Sequence, residues 1–368
     1  GCLYWGWRDG RRARRVARPP VPAAGLADAF LERRQRVLVT GGSGFVGRRL
    51  VAALVAAGHE VTVLLRDRRK AARLPTPLTI ASSLEELPGR ARFDAIVHLA
   101  GEPVAAPWTA ARRRRIVASR VGMTEQLLDW CRRAEAPPRL LIGASAVGWY
   151  GDAGEAVLSE SAAAGRGFTA ETCVAVETAL ARAPLQGLRA VALRIGLVLD
   201  GEGGMLGRLL LAAELGFAPR FGGGRQWLSW IHRDDLVRLI CWLLAQPAAA
   251  GLYNATAPHP LRQGDFVTAL ARCFRRHPLV VPVPRWLLSG LGAMGRELLL
   301  AGQRALPRRA LAEGFRFQHH HPAEALAAIC GQGPVPDLRP LVTRLPSGSP
   351  DRASNGRCEP AAVLRKVA

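Results

Sequence analysis

Three glycines spaced three residues apart have the pattern of a turn that holds the phosphates of a dinucleotide. Gly41, Gly44 and Gly47 follow the apolar run 37–40 and precede a stretch of helical periodicity. One such glycine permits the tight bend, one lets the backbone approach a pyrophosphate, and one allows close packing of helix on strand. The helix N-terminus then offers free N–H groups and a positive dipole end. This context predicts a dinucleotide site made of Thr40, Gly41, Gly42, Ser43, Gly44, Phe45, Val46 and Gly47.

The residue at the end of the next predicted strand indicates which dinucleotide binds. Sites for NAD usually carry Asp or Glu there, which holds the ribose 2′-hydroxyl. This chain has Arg66 at that place, followed by Asp67, Arg68 and Arg69. A guanidinium can pair with a 2′-phosphate, whereas Asp67 lies one place late and the two later arginines are equally consistent with surface charge. The pattern favours NADP(H) over NAD(H).

The elements that would position this turn alternate between strand and helix. Apolar runs at 36–40, 59–65, 94–100, 139–143 and 190–193 predict strands, and helical patterns lie between them, including 109–128. Strands that alternate with helices indicate a parallel sheet covered on both faces. We therefore expect an α/β fold, a doubly wound parallel sheet of the Rossmann type, with a smaller and mostly helical C-terminal lobe.

Composition along the chain suggests four divisions. The ends are basic and rich in Pro, Ala, Gly or Ser, which is typical of disorder. We expect disordered tails at 1–34 and 333–368, a dinucleotide-binding domain with substrate-lobe insertions at 35–275, and a C-terminal segment at 276–332.

The net charge of +22 raises the question of a nucleic-acid partner. The charge is spread along the chain, and its densest internal run, 112–115, would surround a helix on all sides rather than form one stripe. No recognition motif accompanies it. Nucleic acid is therefore not expected as a partner, and weak association through the basic tails is kept only as an alternative.

Cysteine and histidine usage favours a reducing compartment and no metal site. The seven cysteines are scattered without a Cys-x-x-Cys pair, and the adjacent histidines 319–321 lack metal-ligand spacing. The sequence contains no run of 18 apolar residues, so no membrane span is predicted. We expect a cytoplasmic protein; organelle targeting through the Arg-rich first segment is the alternative.

Several blocks resemble an atypical branch of the extended short-chain dehydrogenase/reductase superfamily. They are the glycine turn, His98-Leu99-Ala100-Gly101-Glu102-Pro103, Ser119-Arg120, the stretch 144–151 and the stretch 224–232. The branch is the YfcH-like epimerase family, with an NAD-dependent epimerase/dehydratase domain and a C-terminal domain of the DUF1731 type. The latter resemblance lies in 282–284, Gln303, Pro307 and 314–317, so that the whole covers roughly residues 36–330.

The resemblance implies an altered catalytic set. The superfamily typically uses a serine together with Tyr-x-x-x-Lys. Ser145 matches the serine, but Phe168 and Thr172 stand in the tyrosine and lysine places. A phenyl ring has no proton to give and a threonine carries no charge. The branch commonly lacks the pair as well, so the loss is not special to this chain.

Other groups could supply the proton. Tyr150 has an ionisable hydroxyl five residues after Ser145, and Glu171 is a carboxylate close to the tyrosine place, where burial could raise its pKa. His232 is a third candidate. Each candidate also has a structural interpretation. Tyr150 could pack in the core, Glu171 could cap a helix or form an ion pair, and His232 could be structural.

The resemblance also places further residues at the ligands. Against the cofactor it places Leu99, Ala100, Gly101, Glu102 and Gly196. Along the substrate cleft it places Arg225, Gln226, Trp230 and His232, although large aromatics such as Trp230 are at least as often plain core.

These observations predict an NADP-dependent oxidoreductase or epimerase-like enzyme that acts on a small molecule. The missing Tyr-x-x-x-Lys pair keeps a second hypothesis open, a non-catalytic NADP-sensing or regulatory protein of the cell-division-inhibitor type. A homodimer is compatible with either interpretation.

Overall fold

The computed structural model describes residues 22–87, 91–274 and 277–331. The strands in this part of the chain are β1 Arg36–Thr40, β2 Glu60–Leu64, β3 Thr79–Ala81, β4 Ala95–His98, β5 Leu140–Ala146, β6 Val157–Leu158, β7 Arg189–Ile195, β8 Leu197–Leu199, β9 Phe217–Phe221, β10 Trp227–Leu228, β11 Trp230–His232, β12 Gly251–Ala255, β13 Leu261–Arg262, β14 Leu279–Val283 and β15 Arg304–Ala305.

The α-helices of the same part are α1 Phe45–Ala56, α2 Ala110–Val117, α3 Met123–Arg133, α4 Phe168–Leu180, α5 Gly204–Glu214, α6 Arg233–Ala245, α7 Gln263–Arg272, α8 Arg285–Ser289, α9 Gly292–Gly295, α10 Arg308–Ala312 and α11 Pro322–Cys330. Two π-helical turns, Ala118–Gly122 and Arg296–Leu300, interrupt or extend them. Short 3₁₀ turns cover Ala24–Leu26, Arg68–Arg73, Val147–Tyr150 and Ala183–Gln186.

Seven strands form one parallel sheet in the order β12-β7-β5-β4-β1-β2-β3. The inner residues Val37, Leu38 and Val39 of β1 are fully buried, as expected for a strand covered on both faces. The strand order reverses between β1 and β4, and such a switch point leaves a crevice at the carboxyl ends of the strands. The predicted doubly wound α/β fold is confirmed.

The predicted strands and helices agree with the structure apart from their ends and one division. The strand expected at 139–143 continues to Ala146, and the one expected at 94–100 ends at His98. The helix expected at 109–128 is divided into α2 and α3 by the π-turn. The wide turn matters for the site, since it carries Ser119 and Arg120.

The C-terminal segment is largely helical, and it packs into the rest of the chain rather than standing apart. Strand β14 pairs with β9, and β15 pairs with β6. Phe315 and Phe317 lie in the main core, where Phe315 contacts the ring of Trp242 at 5.6 Å between centroids. The segment thus shares its strands and its core with the rest of the chain.

Part of the expected N-terminal tail is packed, which corrects the prediction of disorder over 1–34. Leu26 and Ala27 are fully buried, and Phe30 contacts the ring of Phe315. Residues 1–21 and the predicted tail 333–368 lie outside the described residues. Within the described residues, no helix has both the length and the apolar character needed to cross a membrane.

Candidate functional site

The glycine turn after β1 leaves no room for side chains. Gly41 has φ +74°, and a Cβ on it would lie 2.6 Å from the Leu99 carbonyl carbon and the Ala100 nitrogen. A Cβ on Gly47 would overlap the Gly41 carbonyl oxygen. The amide of Gly44 donates to that same oxygen at 2.9 Å and closes the turn. The backbone itself is therefore the surface that a ligand meets here.

Helix α1 begins directly after this turn with its first N–H groups uncovered. Its N-cap is Gly44, which has no side chain to cap the amides of the first turn. Arg49 on the same helix is held away by a two-pronged ion pair with Asp234, at 2.7 and 2.9 Å. A glycine cradle together with an uncapped helix N-terminus fits a pyrophosphate.

The segment after β2 leaves Arg66 free to meet a ligand. Asp67 accepts a hydrogen bond from the Arg69 amide at 3.1 Å and caps the following 3₁₀ turn. Arg68 donates to Ser82 and to Glu86, each at 2.7 Å. Arg66 is exposed and, within the described residues, forms no ion pair. Asp67, the acid that could have bound the ribose 2′-hydroxyl of NAD, thus caps the 3₁₀ turn instead.

The loop after β4 is held by residues of the π-turn. Ser119 Oγ accepts from the Glu102 amide at 2.9 Å, and Arg120 Nη1 donates to the Glu102 carbonyl at 3.0 Å. The Arg120 guanidinium covers Gly101, since a Cβ there would lie 2.9 Å from Arg120 Cζ. These two contacts were not predicted; their only signal was the Ser119-Arg120 block. They fix Leu99, Ala100, Gly101 and Glu102 beside the glycine turn.

A buried histidine supports the same loop from below. His98 Nδ1 lies 2.6 Å from Thr40 Oγ1, and the Ala100 amide approaches that oxygen at 3.4 Å. Burial lowers the pKa of His98 to about 4, so the ring is neutral at pH 7. Thr40 is almost fully buried, and its hydroxyl serves the loop rather than solvent.

Ser145 lies at the end of β5 in a buried chain of polar groups. Its hydroxyl donates to Glu177 Oε1 at 2.7 Å, and Glu177 pairs with Arg194 at 2.8 and 2.9 Å. Glu177 and Arg194 are 7% and 1% exposed. Burial lowers the pKa of Arg194, but hydrogen bonds to Glu177 and Tyr150 raise it more, and the net shift is upward. The serine hydroxyl is therefore oriented by a fixed, charged pair.

The Cys173 thiol is a neighbour of Ser145 that sequence reasoning missed. Cys173 Sγ lies 3.6 Å from the Ala146 carbonyl. Burial raises its pKa despite hydrogen bonding to Ser145, so the thiol stays protonated. Lone cysteines give no signal in sequence unless a partner is already known.

Tyr150 extends the same chain into the core, and the structure favours its structural role. The side chain is 3% exposed. Its hydroxyl lies 2.7 Å from Asn254 Oδ1 and 3.0 Å from the Ser159 carbonyl, and it accepts from Arg194 Nη1 at 3.0 Å. Burial raises its pKa. These partners use the hydrogen-bonding capacity of the hydroxyl and favour core packing, and the role of Tyr150 as a proton donor stays a prediction.

The residues at the tyrosine and lysine places lie at the start of α4. Phe168 packs edge-on against Trp108 at 4.9 Å between centroids, and the Arg113 guanidinium lies 5.0 Å from its ring. Thr172 is buried and donates to the Phe168 carbonyl at 2.7 Å. Glu171 points outward and is exposed. This exposure favours capping or ion pairing over a buried carboxylate close to the tyrosine place, and the catalytic role of Glu171 stays a prediction.

The residues expected along the substrate cleft are mostly engaged elsewhere. Trp230 is 0% exposed, and its indole donates to the His259 carbonyl at 2.8 Å. His232 accepts from the Asp234 amide at 3.2 Å, which caps α6, and it stacks on His319 at 4.0 Å. These contacts favour structural roles for both residues, and their expected place along the substrate cleft stays a prediction. Gln226 donates to the Phe221 and Leu299 carbonyls and ties the loop to the C-terminal segment. Arg225 is exposed.

Gly196 connects β7 to β8 at a point where the surrounding backbone is closely packed. A Cβ on it would lie 2.6 Å from the Ser229 carbonyl oxygen, and its amide donates to the Ala255 carbonyl at 3.1 Å. The close packing explains the glycine without a ligand. Its expected contact with the cofactor stays a prediction.

A cavity of about 210 Å³ lies beside α4, between the core and the C-terminal segment. Its lining residues are Gly151, Asp152, Arg166, Thr169, Arg285, Ser289, Arg296, Glu297, Leu300, Ala301 and Gln303. None of these was predicted as a site residue, because they come from distant parts of the chain. In the described part of the chain, no group of three His, Cys, Asp or Glu side chains could hold a metal ion.

The sheet order, the glycine turn and the crevice beside it define a dinucleotide-binding protein of the Rossmann type. The chain belongs to the NAD dependent epimerase/dehydratase family, whose model matches residues 37–255. A domain of unknown function, DUF1731, matches residues 283–329. The resemblance drawn from the sequence blocks is confirmed.

Two relatives and one solved structure are similar to this chain over most of its length. The epimerase family protein SDR39U1 homolog, chloroplastic, of Arabidopsis thaliana is 36% identical over 83% of this chain and 89% of its own length. YfhF, an epimerase family protein of Bacillus subtilis, is 34% identical over 80% and 97%. The crystal structure of human epimerase family protein SDR39U1 (isoform 2) with NADPH is 30% identical, covers 80% of this chain and 99% of that one, and has a TM-score of 0.72.

Proposed function

We propose that this chain binds NADP(H) and catalyses hydride-transfer chemistry, as an oxidoreductase or epimerase-like enzyme, on a small molecule. The observation that carries the cofactor choice is the segment after β2. Arg66 is exposed without an ion pair in the described structure, while Asp67 is used to cap a turn. The human relative crystallised with NADPH supports the same choice.

The chain's own residues fit this role at three points. The glycine turn and the α1 N-terminus would hold the pyrophosphate, and Arg66 the 2′-phosphate. The nicotinamide, when bound, supplies or accepts a hydride. Ser145 Oγ, whose own proton is donated to Glu177, would hold the reacting oxygen of the substrate's alcohol form by accepting its hydroxyl hydrogen, with Glu177 and Arg194 keeping the serine oriented.

Removing the Arg66 charge tests the cofactor choice. Arg66→Gln should weaken NADPH binding by about 10- to 100-fold, since a hydrogen bond to a charged group is worth about 1.5–3 kcal/mol. The affinity for NADH, which lacks the 2′-phosphate, should stay nearly unchanged. Fluorescence titration of the reduced nicotinamide measures both.

Arg73→Gln is the matched control, because Arg73 is an exposed arginine at the end of the same turn. It should bind both cofactors as the parent chain does. Equal losses for NADPH and NADH in Arg66→Gln would contradict the 2′-phosphate role.

The alternative of an NADP-sensing protein without turnover has one observation in its favour. Phe168 and Thr172 replace the usual Tyr and Lys, and Tyr150 is fully engaged in the core. The enzyme and the sensor hypotheses are separated by incubating the protein with NADPH and a panel of carbonyl substrates and measuring the loss of nicotinamide absorbance. Consumption that is abolished in Ser145→Ala with NADPH binding intact supports the enzyme; tight binding without consumption across the panel supports the sensor.

We also propose a reducing compartment, the cytoplasm, as the location. All five described cysteines, Cys131, Cys173, Cys241, Cys273 and Cys330, are free thiols.

A further inference from the structure

The cavity beside α4 joins the segment that carries Ser145 to the C-terminal segment. Its Thr169 packs against Gly148, where a Cβ would lie 3.1 Å from Thr169 Cβ, and Gly148 follows Ser145 by three residues. On the other side the cavity is bounded by α8 and the π-turn Arg296–Leu300. The cavity therefore adjoins the chain segment that follows Ser145, through Thr169, Gly151 and Asp152.

Three arginines from separate parts of the chain line the cavity. Arg166 precedes α4, Arg285 begins α8, and Arg296 begins the π-turn. Across the described residues, none of the three forms an ion pair within 4.0 Å or donates a side-chain hydrogen bond. Their guanidinium donors are free for a ligand.

The two carboxylates in the wall are already satisfied by backbone groups. Glu297 accepts from the Phe168 and Thr169 amides at 3.1 and 2.8 Å and from Thr169 Oγ1 at 2.8 Å. Asp152 accepts from the Gly302 amide at 3.0 Å. Glu297 therefore holds the start of α4 and Asp152 holds the backbone at Gly302, while the arginines supply the unmatched donors.

One arginine is held over a glycine loop. A Cβ on Gly222 would lie 2.8 Å from Arg285 Cγ, so the Arg285 stem rests on the backbone of that residue. This support reduces the freedom that a surface arginine would lose on binding a ligand.

We infer that the C-terminal segment, matched as a domain of unknown function, completes a substrate subsite for an oxyanion, a phosphoryl or carboxylate group. Arg285 and Arg296 of that segment and Arg166 of the core would bind the anion through charge-assisted hydrogen bonds. The inference rests on the proposed function, since it places an anionic end on the substrate that reacts beside Ser145.

The test uses the full chain with saturating NADPH, so that the dinucleotide phosphate sites are filled. Inorganic phosphate and malonate are titrated separately by calorimetry at low ionic strength, because salt screens exposed charges. We expect saturable binding of at least one probe, and phosphate alone or malonate alone identifies the anion class. In the Arg285→Gln/Arg296→Gln variant the affinity should fall by about tenfold or more.

Arg308→Gln is the matched control, since Arg308 is an exposed arginine of the same segment outside the cavity. It should bind the probe as the parent chain does. Arg166→Gln, in the core part of the chain, should weaken binding too, and it serves if the double variant does not fold.

Two results would overturn the inference: no saturable binding of either probe, or equal affinity in the parent chain and the arginine variants. NADPH affinity, measured first in every variant, keeps the two proposals apart. Failure to bind NADPH contradicts the proposed function, and unchanged NADPH affinity with lost probe binding supports the subsite alone.

Discussion

At the scale of single residues, the buried ion pair of Glu177 with Arg194 is a part of the site in which loss of one partner should be costly. Both side chains are buried, and the pair orients Ser145. Glu177→Gln would leave the Arg194 charge buried without its partner, which typically costs about 3–5 kcal/mol. We expect a loss of unfolding free energy of that order in urea denaturation.

The matched control on the same helix is Glu171→Gln. Glu171 is exposed, so this variant should stay within about 0.5 kcal/mol of the parent chain. A comparable loss in both variants would show that the helix, not the buried pair, carries the effect.

Gly47 is a second residue whose side-chain identity the fold dictates. A Cβ there meets the carbonyl oxygen of Gly41, which is backbone and cannot swing aside. Gly47→Ala should lower the unfolding free energy by about 1–3 kcal/mol through overpacking. It should also weaken NADPH binding, because relief of the overlap must open the turn that holds the pyrophosphate.

Gly207→Ala provides the comparison for this prediction. Gly207 lies inside α5 with no atom within 4 Å of an added Cβ. Alanine there should stabilise the chain by about 0.5–1 kcal/mol and leave NADPH binding unchanged. Intact cofactor binding in Gly47→Ala would contradict the tight-turn explanation.

At the scale of elements, α4 depends on a cap from a distant segment. Its N-cap Gly167 supplies no side chain, and Glu297 accepts from the first amides instead. Glu297→Ala should cost about 1–2 kcal/mol of unfolding free energy, as for other lost N-caps. Amide exchange should accelerate first at residues 168–172, and Glu171→Ala should leave it nearly unchanged.

The division between what sequence predicts and what it does not also falls at the element scale. The turn between β1 and α1 is predictable, because glycine spacing and apolar runs act over neighbouring residues. The π-turn that carries Ser119 and Arg120 is not, since it follows from packing against the Glu102 loop. Such widened turns often occur at functional sites.

Side-chain roles show the same limit over longer distances. Ser145 was predicted from a resemblance, but its partner Glu177 lies 32 residues further on and Arg194 lies 17 beyond that. Tyr150 and His232 have reactive side chains at positions that suggest catalysis, yet both are buried and their hydrogen bonds favour structural roles. Residue type and spacing give the available chemistry, and only burial and partners decide whether it is used.

At the scale of the whole molecule, two buried histidines link folding to pH. Burial lowers the pKa of His98 and of His232 to about 4, from the ordinary 6.5. Around His232, Arg233 and His319 disfavour its protonation, while Asp234 and Asp235 favour it without offsetting burial. Both rings therefore stay neutral in the folded chain at pH values where the unfolded chain takes up protons.

This difference fixes the direction of the pH dependence. The stabilisation is complete above pH 6.5 and is lost as the pH falls toward 4, because the unfolded state binds more protons in that window. Between pH 7 and pH 5 we expect a loss of about 2 kcal/mol for each histidine. Urea denaturation at several pH values in this range measures the slope.

Substitution of one histidine should remove its contribution to the pH dependence of the unfolding free energy and make that dependence shallower. In His232→Asn the side-chain oxygen can still cap α6, because asparagine is a favourable N-cap residue, but nothing titrates at that position. The unfolding free energy should then fall by about 2 kcal/mol less between pH 7 and pH 5 than in the parent chain. An unchanged slope would mean that His232 takes up its proton equally in both states, and the acid sensitivity of the molecule would have to come from other groups.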